Sequence, residues 1–434
     1  MLFDSTQRNS VREIIKEELW KLAERCEDEL KDTWTYINRL EEYNQLKVLD
    51  AFKKEKIGDY HFTPSTGYGY GDLGRDGLER VFARVMGTDA ALVRSQIVSG
   101  THAIALGLFG SLRPGDIMLS LTGRPYDTLE EVIGIRGAKY SGSLKDYGIG
   151  YREIELTNEG RIDLKKLSVD MLKDVKLVYI QRSRGYSWRR ALTIEEIEEV
   201  ITTIKKINSE IICFIDNCYG EFVEQLEPGD VGADLIAGSL IKNPGGGIAP
   251  GGGYLAGRED LVIKAANRLT APGLGKAVGS NPAGYRLYYQ GLFLAPHIVA
   301  QALKGSIFTA KICSELGFNV SPLFDETRGD IIQTIKFHSS EQLIKFCQSI
   351  QTMSPVDSFV IPQPSAMPGY EDQVIMAAGT FIQGSTLEFS ADAPIRAPYI
   401  AYLQGGLTYN HVKLGVLFAL QQLGLNINKK QNIE

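Results

Sequence analysis

The chain has 434 residues, 44% of them hydrophobic, which is ample for a large core and too long for one simple domain. Its net charge is −6, and lysine and arginine are spread along it without a basic stripe, so nucleic acid is a poor partner. Five cysteines, at 26, 213, 218, 313 and 347, make an odd set with no CxxC pair, which argues for a reducing compartment and against a disulfide framework or a zinc site. The N-terminus turns charged soon after Met1-Leu2-Phe3-Asp4-Ser5, unlike a signal peptide. No apolar run approaches the roughly 20 residues that span a bilayer, so a soluble, cytoplasmic protein is expected.

Residues 10–55 read as helical. Ser10 with Glu13 makes a capping-box pattern, and Val11, Ile14, Ile15, Leu19, Leu22, Ala23 and Cys26 recur at helical spacing. Trp34, Ile37 and Leu40 continue the apolar face. The stretch 61–72 alternates glycine with tyrosine around Tyr68 and Tyr70, which predicts an irregular loop. From there helices and short apolar strands alternate: helix 76–86, strand 91–93, helix 101–111, strand 117–119, strand 177–180, helix 193–207, strand 211–215 and strand 234–237. This order implies a mostly parallel sheet with helices on both faces. Helices are expected over 259–268 and 282–316. Beyond 318, a strand at 331–335, a helix at 340–350 and a closing helix at 409–423 suggest a smaller α+β domain, and the polar tail from Asn426 reads as frayed. The domain reading is a helical segment 1–60, a large domain 61–300 and a small C-terminal domain 301–434.

Chemistry concentrates at two strand ends. Lys242 follows the apolar run 234–237 and precedes the glycine-rich segment 245–253, where bare backbone lets a flat cofactor approach closely. Asp216 ends the apolar run Ile211-Ile212-Cys213-Phe214-Ile215. A strand-end lysine to form a Schiff base and a strand-end aspartate to keep a pyridine nitrogen protonated are what pyridoxal phosphate (PLP) chemistry needs. Taken singly, the lysine reads as a solvated loop residue and the aspartate as a turn residue.

Other residues fit the same site. Ser99-Gly100-Thr101 opens a helix and suits an anion, although an N-cap turn satisfies the same pattern. Ser239 is a second phosphate candidate, three residues before Lys242. Tyr126 follows strand 117–121 and could stack on a cofactor ring, with His102 as the rival. Arg396, between Pro394 and Pro398, suits a substrate carboxylate, a surface salt bridge being the alternative. The glycine run 245–253 lacks the GK[ST] of a P-loop and the order of a dinucleotide fingerprint, so it reads as close packing beside the cofactor with a sharp turn.

Six stretches carry a family resemblance: STGYGYGDLGRD (65–76), SGTHAI (99–104), GRPYDTLEEVIG (123–134), DNCYGEF (216–222), SLIKNPGGGIAPGGGY (239–254) and the stretch 368–399. The chain resembles the PLP-dependent fold-type I superfamily, and within it the methionine gamma-lyase-like proteins labelled aluminium-resistance or cystathionine beta-lyase-like. The resemblance implies an α/β large domain, a smaller C-terminal α+β domain, and pyridoxal 5'-phosphate as cofactor. It implies Lys242 as the Schiff-base lysine and Asp216 as the pyridinium partner. Gly100, Thr101 and Ser239 match the phosphate ligands, and Tyr126 the stacking, proton-transferring tyrosine. Arg396 resembles the carboxylate-binding arginine, and Tyr68 or Tyr70 a tyrosine lent by the neighbouring subunit of a homodimer or homotetramer. The chain departs from the pattern at Ile241, where a hydroxyl residue usually precedes the lysine. It also has Arg75 displaced from the tyrosine-x-arginine clamp, and 181–186 in place of an asparagine-proline pair. Arg182 or Arg184 there could offset the cofactor phosphate or bind a second carboxylate.

The resulting expectation is a PLP-dependent carbon–sulfur lyase acting on a sulfur amino acid, by β- or γ-elimination, without a metal. Alternatives are another PLP reaction (aldolase, aminotransferase or racemase) or a PLP-fold binding protein with little catalysis.

Overall fold

A computed structural model describes residues 14–367 and 370–424; the Ser10–Glu13 pattern and the tail from Asn426 lie outside them. The chain divides into two units. One comprises Glu42–His297 and Arg328–Asp330, the other Met1–Glu41, Ile298–Thr327 and Ile331–Glu434. The division therefore passes inside the 30-residue helix Arg286–Glu315 and groups the N-terminal helix with the C-terminal sheet.

The first unit is built on a seven-stranded sheet: β1 (Ala90–Arg94), β2 (Ile117–Ser120), β3 (Gly150–Glu153), β4 (Val175–Gln181), β5 (Ile212–Asp216), β6 (Leu235–Ser239) and β7 (Gly253–Gly257). Their spatial order is β1-β7-β6-β5-β4-β2-β3, and only β7 runs against its neighbours. β5 and β6 are buried along their whole length, as expected for parallel strands covered on both faces. Because β2, β4, β5 and β6 are parallel, Ser120, Gln181, Asp216 and Ser239 all come to one edge of the sheet, and Gln181 lies directly opposite Asp216.

The helix Gly100–Ser111 is apolar all round and packs into the core with Phe214, Leu235 and the helix Glu259–Leu269. Sequence periodicity missed β3, the helix Asp127–Ile133 and β7, the last because it begins inside the glycine run. That run does turn sharply, with Gly246 at φ 58°. A Cβ on Gly246 would collide with the backbone of Gly291 in the long helix, and one on Gly245 with the Leu240 carbonyl.

The second unit carries a five-stranded antiparallel sheet of β8 (Asn319–Ser321), β9 (Gln333–Phe337), β10 (Val374–Ala377), β11 (Ser390–Pro394) and β12 (Tyr399–Gln404), in the order β10-β11-β12-β9-β8. The helices Ser340–Thr352 and Tyr409–Gln422 pack together beside it. β9 starts two residues later than the expected strand at 331, and the Ile331 carbonyl before it accepts from the Ser306 hydroxyl at 2.7 Å. By length and composition the helix Arg286–Glu315 could cross a membrane, but 67% of its apolar stretch is buried, as in a core helix.

Candidate functional site

Asp216 lies at the end of β5, almost fully buried. Its Oδ1 accepts the N–H of Cys218 at 3.1 Å, and its Oδ2 accepts the hydroxyl of Tyr179 at 3.2 Å. Burial pushes the carboxyl up, opposed by the charge of Lys242 and by these hydrogen bonds. Tyr179 reads as an ordinary core aromatic of a strand, so sequence gave no sign of its role.

Lys242 follows β6 and is partly buried. Its Nζ stands 4.0 Å over the Tyr219 ring, a contact the sequence reading did not anticipate. Burial favours its neutral form, but Cys218, Tyr219, Asp216 and Tyr126 around it outweigh that and hold the ammonium well above the ordinary lysine range. Tyr126 immediately precedes the helix Asp127–Ile133. Its hydroxyl is 3.0 Å from Thr101 Oγ1, and its N–H donates to Gln181 Oε1 at 3.3 Å. Burial and then the nearby Asp216 carboxylate raise its phenol far above the usual value, so it keeps its proton.

Ser99 caps the helix Gly100–Ser111, its Oγ accepting the His102 N–H at 3.1 Å. The N–H groups of Gly100 and Thr101, first in the helix, have no intrahelical partner. His102 Nδ1 accepts the Val98 N–H at 3.2 Å, which commits this ring to the turn. A Cβ on Gly100 would stand 3.1 Å from Cys218 Sγ and 3.5 Å from the Ser239 Cβ, so the glycine keeps open a small cradle between helix start and β6. Free N–H donors, the Thr101 and Ser239 hydroxyls, a buried carboxylate and a lysine form the donor set that a phosphorylated pyridine needs, and the residues fit PLP.

The remaining sequence candidates have contacts of their own. Tyr68 and Tyr70 are 68% and 67% exposed, their rings 5.4 Å apart. Arg75 is buried and donates to the Gly69 carbonyl at 2.7 Å, so it supports this loop from inside. Arg396 belongs to the second unit, between β11 and β12, and its Nη1 is 3.0 Å from Asp372. Arg182 offers no spare charge: fully buried, it donates to Asn217 Oδ1 at 2.7 Å, Gly220 O at 2.9 Å and Glu224 Oε1 at 2.8 Å. Arg184 lies beside Asp330, Nε to Oδ2 3.7 Å.

Comparison with known proteins bears on the family and the fold. A Bacillus subtilis protein, the uncharacterized YnbB, is 52% identical over 405 residues, covering 93% of this chain and 96% of its own. The crystal structure of a carbon–sulfur lyase involved in aluminum resistance from Clostridium novyi superposes with a TM-score of 0.91 at 53% identity, covering 97% of this chain and 99% of the other. At 17% identity, the pyridoxal-5'-phosphate-dependent protein YhfS from Escherichia coli still superposes with a TM-score of 0.62 over 89% of this chain and 97% of its own, which shows the shared fold. The methionine gamma-lyase family model matches residues 19–424, so the chain belongs to that family, with the type I fold and pyridoxal 5'-phosphate as its cofactor.

Proposed function

We infer that the protein is a carbon–sulfur lyase that eliminates a thiol from a sulfur-containing amino acid. The observation that supports this most is the convergence of Lys242, Asp216 and Tyr126 at one edge of a parallel sheet, in a family named for that chemistry. The Clostridium novyi relative bears the same label.

When bound, PLP would draw electrons from the bonds at the substrate α-carbon. Lys242 would hold the cofactor covalently and, once displaced by the substrate amino group, take the α-proton on Nζ. Asp216 would keep the pyridine nitrogen protonated. Gly100, Thr101 and Ser239, with Ser99 fixing the turn, would hold the phosphate. Tyr126, still protonated at neutral pH, or Lys242 again, would give a proton to the departing thiol. Tyr68 or Tyr70, both exposed, would reach the phosphate of a second copy of the chain.

The test is a visible spectrum of the purified holoprotein before and after borohydride. A yellow band bleached by reduction, with the label mapped to Lys242, is expected. Lys242→Ala should bind PLP noncovalently at most and release no thiol or ketoacid from methionine or cystathionine. Near-normal lyase activity in that variant would overturn the assignment, and glycine plus an aldehyde as products would replace the reaction.

A further inference from the structure

The loop after β4 is rich in arginine, and its members are used differently. Arg182 pairs with Glu224, Arg184 with Asp330, and Arg190 with Glu196. Arg189 has no carboxylate at ion-pair distance among the described residues. Its Nη2 donates to the carbonyls of Gln181, at 3.0 Å, and Ser183, and its Nη1 to that of Arg190 at 3.1 Å. These three bonds fix the guanidinium in place and leave two of its five N–H groups unspent.

Arg189 is half-buried, and desolvating a cation beside neutral carbonyls costs free energy that a paired cation recovers in part. Desolvation, opposed by the field of Asp330 and helped by the charge of Arg184, pushes the guanidinium down to about 10. The position is also informative. The carbonyl that Arg189 grips belongs to Gln181, which lies directly opposite Asp216 and whose side chain holds the Tyr126 N–H. Arg189 is thus fixed at the strand-end edge that carries the candidate site, within the same unit as Lys242.

We propose that Arg189 binds a carboxylate of the amino-acid substrate. This rests on the reading of the site as an amino-acid site, not on which bond is broken. The ligand is either the α-carboxylate or the far carboxylate of a dicarboxylic substrate, and the two are separable.

The experiment is a spectral titration of holoprotein with L-norleucine, which has no sulfur to eliminate, and with L-2-aminopimelate, which adds a distal carboxylate. The cofactor band reports binding without turnover, so a failed lyase reading leaves the test intact. Arg189→Gln should weaken binding about 10- to 100-fold, the range for a lost hydrogen bond to a charged group, with PLP occupancy unchanged and the melting temperature lowered by the loss of the carbonyl bonds. Equal weakening of both ligands assigns the α-carboxylate; weakening of aminopimelate alone assigns the distal one. Unchanged affinity for both overturns the proposal, as does loss of PLP affinity with ligand binding intact, which would assign Arg189 to the phosphate. Should Arg189→Gln fail to fold, Arg189→Lys keeps the charge with fewer donors, and wild-type affinity for both ligands in that variant overturns the proposal equally.

Discussion

Glu221 has no exposed surface, and its Oε1 accepts the Tyr254 hydroxyl at 2.8 Å. Its Oε2 finds no partner among the described residues, while its carbonyl takes the side chain of Asn243, next to Lys242, at 2.9 Å. Burial pushes the carboxyl from 4.5 up to about 8, so it is protonated in the folded protein at neutral pH. A carboxyl raised on folding contributes stability that is complete below 4.5 and is lost as pH rises through about 8, because the unfolded chain ionises first. Glu221→Gln keeps the shape and the acceptor for Tyr254 but cannot ionise. The difference in unfolding free energy between wild type and variant should therefore change by about 4 kcal/mol between pH 5 and pH 9, the wild type losing ground as pH rises. Urea unfolding of both holoproteins, followed by tryptophan fluorescence at several pH values in that interval, measures it. A difference that stays flat with pH would refute the reasoning, since it would mean that Glu221 is ionised throughout or that its site admits water.

Tyr179→Phe removes one hydrogen bond to Asp216 and keeps the ring, so kcat should fall about 10-fold with KM little changed. Since that bond lowers the Asp216 pKa, its loss should move the acid limb of the kcat profile to higher pH; an unmoved limb would contradict the role. Arg182→Met should cost about 3–5 kcal/mol, because Asn217 and the buried Glu227 lose their cation, and a melting temperature within a degree of wild type would count against that network.

Much of the fold is legible because β5, β6 and the stretch 177–180 of β4 appear as unbroken apolar runs ending in polar residues. Lys242 and Asp216 were legible for the same reason: each follows such a run. β7 was not, since Gly253-Tyr254-Leu255-Ala256-Gly257 becomes a strand only by pairing with β1 and β6 at once. Nor does sequence separate Arg182 from Arg189. Both stand in one short polar stretch, and the carboxylate that claims Arg182 lies 42 residues away, while among the described residues none stands at ion-pair distance from Arg189.

The register of β4 against β5 is what turns these separate residues into a site. Tyr179 faces Phe214 and Gln181 faces Asp216, so with alternation along each strand all four side chains share one face of the sheet. Tyr179 and Phe214 make an edge-to-face pair, with centroids 6.2 Å apart and an interplanar angle of 82°. Asp216 therefore sits at the end of an aromatic floor, which accounts for the upward push on its pKa, and the Tyr179 hydroxyl is the polar atom that this floor offers back to it. Gln181, on the neighbouring position, passes the same register on to the Tyr126 backbone. A slip of one residue would turn Tyr179 and Gln181 to the opposite face and leave Asp216 buried with only the Cys218 N–H among these contacts. The apolar packing that fixes the strands is thus also what holds the carboxylate, the tyrosine and the Gln181 carbonyl gripped by Arg189 in one place.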